Sequence, residues 1–475
     1  MAAIRTAPEQ ISTMPPGVPY IIGNEAAERF SYYGMRGILV VYMTTLFTRE
    51  FLSAAPAPAD AAAAADALKV ATEFAKADAK RYYHLFLWAV YFLPFLGALL
   101  SDGLLGKYRT IIYLSLVYCA GHVALAVDET RIGLLLGLFL IALGAGGIKP
   151  CVSAHVGDQF GEKNKHLVEK VFTIFYFSIN FGAVAAQWIT PMLLEPSDSL
   201  RSLYPAGVEP SQIAFGLPGI LMFIATLCFW LGRKKFVHIP PGGKAFLAEC
   251  FSEEGRAVLK RLSLLVVFLS FFWCLYDQTS SAWILQAQDM DRNIWGYDVL
   301  ASQVQAVNPL LIMLFIPLFA FVVYPAINRV FPLTPLRKMG IGFFLTSLSF
   351  LVSLWIESMI YAGLKPHIIW QIAAFVVITA AETMVSITAL DYFYTQAPTK
   401  MKSFVMSLNL LAVSFGNLLT VTVDWLMTDP VTGQSRLVGP SMYGLYSGIM
   451  LAAAIVFVFV SQRFQEKTYI QGAAE

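Results

Sequence analysis

The stretch GNEAAERFSYYGMRGILVVYM, residues 23–43, has the length of a membrane-spanning helix and yet carries Glu25, Glu28, Arg29 and Arg36. Isolated in lipid, each charge costs about 2.5–3.5 kcal/mol at the centre of an inserted helix. Residues 25, 28, 29, 32, 33 and 36 recur at three- and four-residue steps, so on a helix they form one stripe on one face. Such a stripe is tolerable where it faces a protein-lined aqueous cavity. The segment therefore reads as a membrane helix with a wet side.

The rest of the chain agrees with a membrane setting. Of 475 residues, 57% are hydrophobic and 13% charged, and the mean hydropathy is +0.63. A soluble protein of this length needs more charge to cover its surface. Apolar runs near 20 residues recur, whereas the short alternating segments of a membrane barrel do not. The expected fold class is an all-α membrane protein of twelve spans, near 20–47, 82–104, 109–127, 132–155, 168–194, 212–232, 262–285, 302–328, 337–361, 366–396, 402–427 and 440–463. An even number puts both termini on one side. Lysine and arginine favour the loops on that side, about 20 against about 10, which predicts cytoplasmic termini. No basic run suggests a nucleic-acid surface. The five cysteines lack metal-ligand spacing and read as small core residues.

Segment 233–261 is basic and holds Pro-Pro-Gly-Gly, a helix breaker. It divides the chain into an N-terminal six-helix bundle (1–232) and a C-terminal one (262–475), a layout that places a transport site between the halves at mid-membrane. The alanine-rich loop 48–81 is expected to continue the second span outward as a helix. Further ionisable groups lie inside spans: Lys149 in the fourth, Asp277 in the seventh and Glu382 in the tenth. Four acids (Glu25, Glu28, Asp277, Glu382) then face three bases (Arg29, Arg36, Lys149). One carboxylate is left over in a single cavity, a natural place for one proton.

The motifs resemble those of the proton-dependent oligopeptide transporters of the major facilitator superfamily. EAAERFSYYG matches the family's E-x-x-E-R-F-x-Y-Y-G; GALLSDGLLGKYRT (97–110), GIKP, FTIFYFSINFGAV (172–184), FW with YDQ, and NPLLIMLFIPLF (308–319) resemble its other motifs. The resemblance covers nearly the whole chain. It implies a symporter importing di- and tripeptides with protons by alternating access, with the proton as coupling ion and no cofactor or metal. It further implies the inner membrane of a bacterium, a monomeric transporter and no catalytic residue. By resemblance, Arg36 and Lys149 take the peptide carboxylate and Glu382 its ammonium. Asn180 and Asn308 bind its backbone or terminus, and Tyr32, Tyr33, Tyr91, Tyr176 and Trp273 line pockets. Proton coupling falls to Glu25, Glu28, Arg29 and Asp277, with Asp277 pairing Arg36.

His84 has two readings, a coupling group as in the mammalian-type second helix or an interfacial histidine at the outer helix end. Two departures from the family pattern stand out. The linker lacks an apolar run for the two extra helices many bacterial members carry, and Asn409 stands where many relatives have tryptophan. A related proton-coupled transporter of amino acids or nitrate is the alternative, although Glu382 would repel a simple anion. An enzyme or receptor is disfavoured: no nucleophile–base pair has useful spacing.

Overall fold

The computed structural model describes residues 5–241, 252–396, 402–429 and 435–463. It consists almost wholly of helices. The N-terminal half contains α1 (Val18–Ala54), α2 (Ala61–Leu100), α3 (Lys107–Val127), α4 (Arg131–Gly157), α5 (Val168–Leu194) and α6 (Pro210–Leu231). In the C-terminal half come α7 (Glu253–Tyr276), α8 (Val307–Leu318), α9 (Pro335–Tyr361), α10 (Ile369–Thr395), α11 (Lys402–Met427) and α12 (Pro440–Ser461). Among the described residues, eleven helical segments are long and apolar enough to cross a membrane. The 37-residue α1 is not one of them, because its own charged stripe dilutes its hydropathy.

Local chemistry starts several of these helices. Asp60, Thr130, Ser252 and Thr334 each accept a hydrogen bond from a backbone N–H in the first turn of α2, α4, α7 and α9. The alanine-rich run after Asp60 is helical, as its composition predicts, so α2 rises well past its apolar part. The seventh span begins earlier than expected, at Glu253. Within the linker, residues 242–251 lie outside the described residues, as does Cys250. Cys151 and Cys274 are buried and Cys119 and Cys228 half-buried.

Packing follows the two halves. Helix α1 contacts α2, α5 and α6, while α3 and α4 pair and each reaches a further neighbour in α6 or α2. On the other side α9 packs on α10 and α12, and α7 on α11. Across the halves, α2 lies along α11 and α5 meets the start of α8. Close crossings need glycine. A Cβ at Gly97 of α2 would sit 2.6 Å from Gly147 Cα of α4, and one at Gly416 of α11 2.8 Å from the Cys274 backbone nitrogen of α7. Phe139, Phe181, Phe223, Phe321 and Phe459 stay exposed on five helices, an apolar belt that suits lipid.

Two helices are broken where the halves meet. After Tyr276, α7 tightens to a 3-10 turn (Asp277–Ser280) and restarts as Ala282–Gln288. Ahead of α8 runs a 3-10 segment (Ala301–Ala306), and after it a π turn (Phe319–Val323) leads into Tyr324–Val330. Irregular backbone at membrane depth is tolerated where it is buried in protein or lines a cavity. Two ends can be told apart: the terminus end, where Arg5 bridges Val237 and Lys107 pairs with Asp158 at 2.7 Å, and the far end, where α1 finishes and α2 starts.

Candidate functional site between the halves

A cavity of about 250 Å³ lies between the halves. Its walls come from α1, α2, α5, the broken end of α7, α8 and α10. Small-ligand sites span roughly 300–1,000 Å³, so this one suits a small molecule held closely. Nine of the predicted site residues line it: Tyr33, Arg36, Tyr91, Tyr176, Asn180, Trp273, Asp277, Asn308 and Glu382.

Charge is distributed across this cavity by length and anchoring. The Arg36 guanidinium donates to Asp277 Oδ1 at 2.7 Å and, through Nε, to the Tyr83 hydroxyl at 2.7 Å. This pair joins α1 to α7, one from each half, and both side chains are buried. Asp277 Oδ2 accepts from Asn417 Nδ2 on α11 at 2.7 Å. With its nitrogen committed to Asp277, Asn417 presents Oδ1 to His84 Nδ1, 2.7 Å away, so that nitrogen carries a proton. His84 Nε2 meets Ser281 Oγ at 3.0 Å. His84 is thus wired to the Arg36–Asp277 pair through one amide. Of its two sequence readings, the interfacial one fails: His84 is fully buried in the joint between the halves.

Glu382 lies across the cavity on α10 without an ion-pair partner within 4 Å among the described residues. Its Oε2 accepts from Asn308 Nδ2 at 2.8 Å, and Asn308 in turn accepts from the Tyr276 hydroxyl at 3.2 Å. The carboxylate is held in place by an amide and lacks a counter-charge. Asn180 donates to the Tyr176 carbonyl of its own helix at 2.9 Å.

The expectation of one chamber for all seven charges needs correcting. Only Tyr33 and Arg36 of the stripe line the cavity. Glu25, Glu28 and Arg29 form a separate buried set, in which Arg29 pairs with Glu25 at 3.1 Å and with Glu28. Glu28 Oε1 is buried and accepts no hydrogen bond among the described residues. Tyr32 is fully buried behind the wall. Lys149 sits 4.1 Å from the ring centroids of both Tyr32 and Tyr91, adjoining the cavity and held by cation–π attraction. No carboxylate lies within 4 Å of it among the described residues.

Sequence reasoning missed several members. Tyr276, Gln187 and Gln305 line the cavity, and Asn417 and Ser281 complete the His84 chain. The available signal was a polar side chain in an apolar helix, which fits Asn417 as well as Asn409. Asn409 is buried but is not part of the wall.

Among the described residues, further contacts join the halves at the far end. Gln303 Nε2 donates to the Trp188 carbonyl and Gln305 Nε2 to the Gly37 carbonyl, each at 3.1 Å. Trp188 stacks on Tyr297, and Lys76 lies 3.8 Å from Asp289. These contacts hold the two halves together at the far end. At the other end of the cavity the Tyr176 residue is 42% exposed.

Comparison with known proteins bears on this architecture. The family model described as the POT family matches residues 108–252 and 248–438. Peptide transporter family 1 of Drosophila melanogaster is 35% identical over 384 residues, 72% of this chain and 48% of the relative. Solute carrier family 15 member 2 of Homo sapiens is 35% identical over 391 residues, 73% of this chain and 49% of the relative. The chain thus spans about half the length of the curated relatives it matches. Among solved structures, the in meso crystal structure of the POT family transporter PepTSo superposes with a TM-score of 0.80 at 35% identity, covering 95% of this chain and 99% of that one. Matched by the family model over more than half its length, this multi-pass membrane protein belongs to the POT family, the proton-dependent oligopeptide transporters.

Proposed function

We propose that the protein is a proton-coupled symporter of di- and tripeptides working by alternating access. Its site is the cavity between two six-helix halves, 1–232 and 262–475, joined by 233–261. The observation that carries this reading is the polarity of that cavity: a guanidinium on one wall and an ammonium-seeking carboxylate, Glu382, on the other. A peptide zwitterion spans such a pair end to end, and the tyrosines between offer apolar bodies with polar tips. A peptide carboxylate near Arg36 would also draw Lys149 off its two rings. The family's relatives named as peptide transporters support the same cargo.

Protons enter through two joints. In the Glu25–Glu28–Arg29 set two carboxylates share one guanidinium, so one proton brings the set to neutrality. In the second joint, a proton reaching Asp277 loosens its hold on Arg36, and His84 biases that step through Asn417. Loosening the pair unlocks the far end, so proton binding and rocking of the halves are linked. The lysine and arginine bias of the loops supports cytoplasmic termini. The proton serves as coupling ion, without cofactor or metal.

The test is uptake into liposomes with an imposed pH gradient, in competition with dipeptides, tripeptides, single amino acids and nitrate. Labelled dipeptide should accumulate against its gradient and be displaced by di- and tripeptides. Displacement by amino acids or nitrate alone would replace the substrate class, and accumulation that survives collapse of the gradient would remove proton coupling.

A further inference from the structure

A second cleft, of about 540 Å³, lies at the far end, away from the central cavity. One wall is the outward extension of α2, from the N-terminal half. The others are the restarted end of α7, the end of α9, the segment 435–439 and the start of α12, all from the C-terminal half. Phe74, Leu285, Met442 and Tyr443 give it an apolar floor.

Its polar groups repeat the design of the central site. Glu357 Oε2 accepts from Gln286 Nε2 at 2.8 Å, as Glu382 accepts from Asn308 at the same distance. Neither carboxylate has an ion-pair partner within 4 Å among the described residues. Opposite Glu357 stands Lys80 on α2, whose ammonium touches only the Met442 sulfur at 3.5 Å among the described residues. Lys76 and Lys80 are both within electrostatic reach of Glu357, and neither pairs with it within 4 Å. Lys76 is engaged by Glu73 at 3.2 Å and by Asp289 at 3.8 Å. An unpaired cation and an amide-held acid thus face one apolar-floored space across the two halves.

We propose that this cleft is a second binding site, taking a small zwitterion with an apolar side chain, its carboxylate on Lys80 and its ammonium on Glu357. Amino acids and short peptides share that chemistry. Because the walls belong to different halves, an occupant ties the far end shut. The site goes beyond the transport reading and stands on residues the central cavity does not use.

Equilibrium binding of radiolabelled Ala-Leu to the full-length protein in nanodiscs tests it. The wild type should bind two equivalents per chain at saturation. Glu382→Gln should lose the central one and keep the other, whereas Lys80→Gln with Glu357→Gln should do the reverse. In Glu382→Gln, N-acetyl-Ala-Leu, without an ammonium, and Ala-leucinamide, without a carboxylate, should each bind at least tenfold more weakly. Exchanging the charges (Lys80→Glu with Glu357→Lys) should restore binding that Lys80→Glu alone abolishes, which separates recognition from misfolding. Leucine binding in Glu382→Gln would identify an amino-acid site, and Ala-Leu binding without leucine a peptide site. A wild-type stoichiometry of one, lost in Glu382→Gln and unchanged in the Lys80/Glu357 variant, overturns the proposal. Absence of any Glu382-dependent equivalent would count instead against the central site.

Discussion

On helix α1, Arg29 and Arg36 stand two turns apart, and they do different work. Arg29 finds both its acids on its own helix, Glu25 and Glu28, so its pairings move with one half as a rigid unit. Arg36 finds its acid on α7, in the opposite half, and its hydrogen-bonded neighbours bring in α2 and α11. A local ion set can store a proton without disturbing the arrangement of the halves. A cross-half pair must break or form whenever they move. The difference separates where a proton is held from where it is felt.

The largest effect expected from breaking that contrast is Arg36→Ala. It leaves Asp277 buried without its cation, a change that costs about 3–5 kcal/mol in comparable pairs. Thermal unfolding of the purified protein should fall markedly, and peptide uptake should cease. Next comes Glu28→Gln. It mimics permanent protonation within the local set, so gradient-driven uptake should be lost while peptide counterflow continues. If counterflow disappears too, the set binds or folds and does not couple. Smaller again is Asn417→Leu, which cuts His84 from Asp277 and leaves both groups in place. The pH profile of uptake should change, and His84→Asn should add nothing further in the double variant, because interacting residues are non-additive. The smallest is Gln305→Ala. One neutral hydrogen bond is worth about 0.5–1.5 kcal/mol, so far-end opening should rise by roughly two- to tenfold, read by cysteine labelling at Gly37.

Much of this was legible in the sequence, for reasons that differ by residue. The Glu25–Arg29 contact follows from spacing on one helix, which periodicity reports directly. The Arg36–Asp277 pair links positions far apart in the chain, and only the motif resemblance announced it. What the sequence concealed was depth. The stripe looked like one surface because helical phase is visible in a sequence, but the limit of a cavity along the helix is not. Asn417, Ser281 and Gln305 were invisible for a related reason: their partners lie on other helices, and a single polar residue in an apolar span does not name its neighbour. The amide-held Glu357 escaped notice because it sits near a helix end, where a charge needs no special explanation.

The cross-half joint is tested most directly by Asp277→Asn in liposomes, with dipeptide accumulation under a pH gradient measured beside counterflow without one. Accumulation should vanish and counterflow persist, because a neutral partner still seats Arg36 but no longer changes charge with the proton. Undiminished accumulation in that variant would contradict a role for the Arg36–Asp277 pair in sensing the proton.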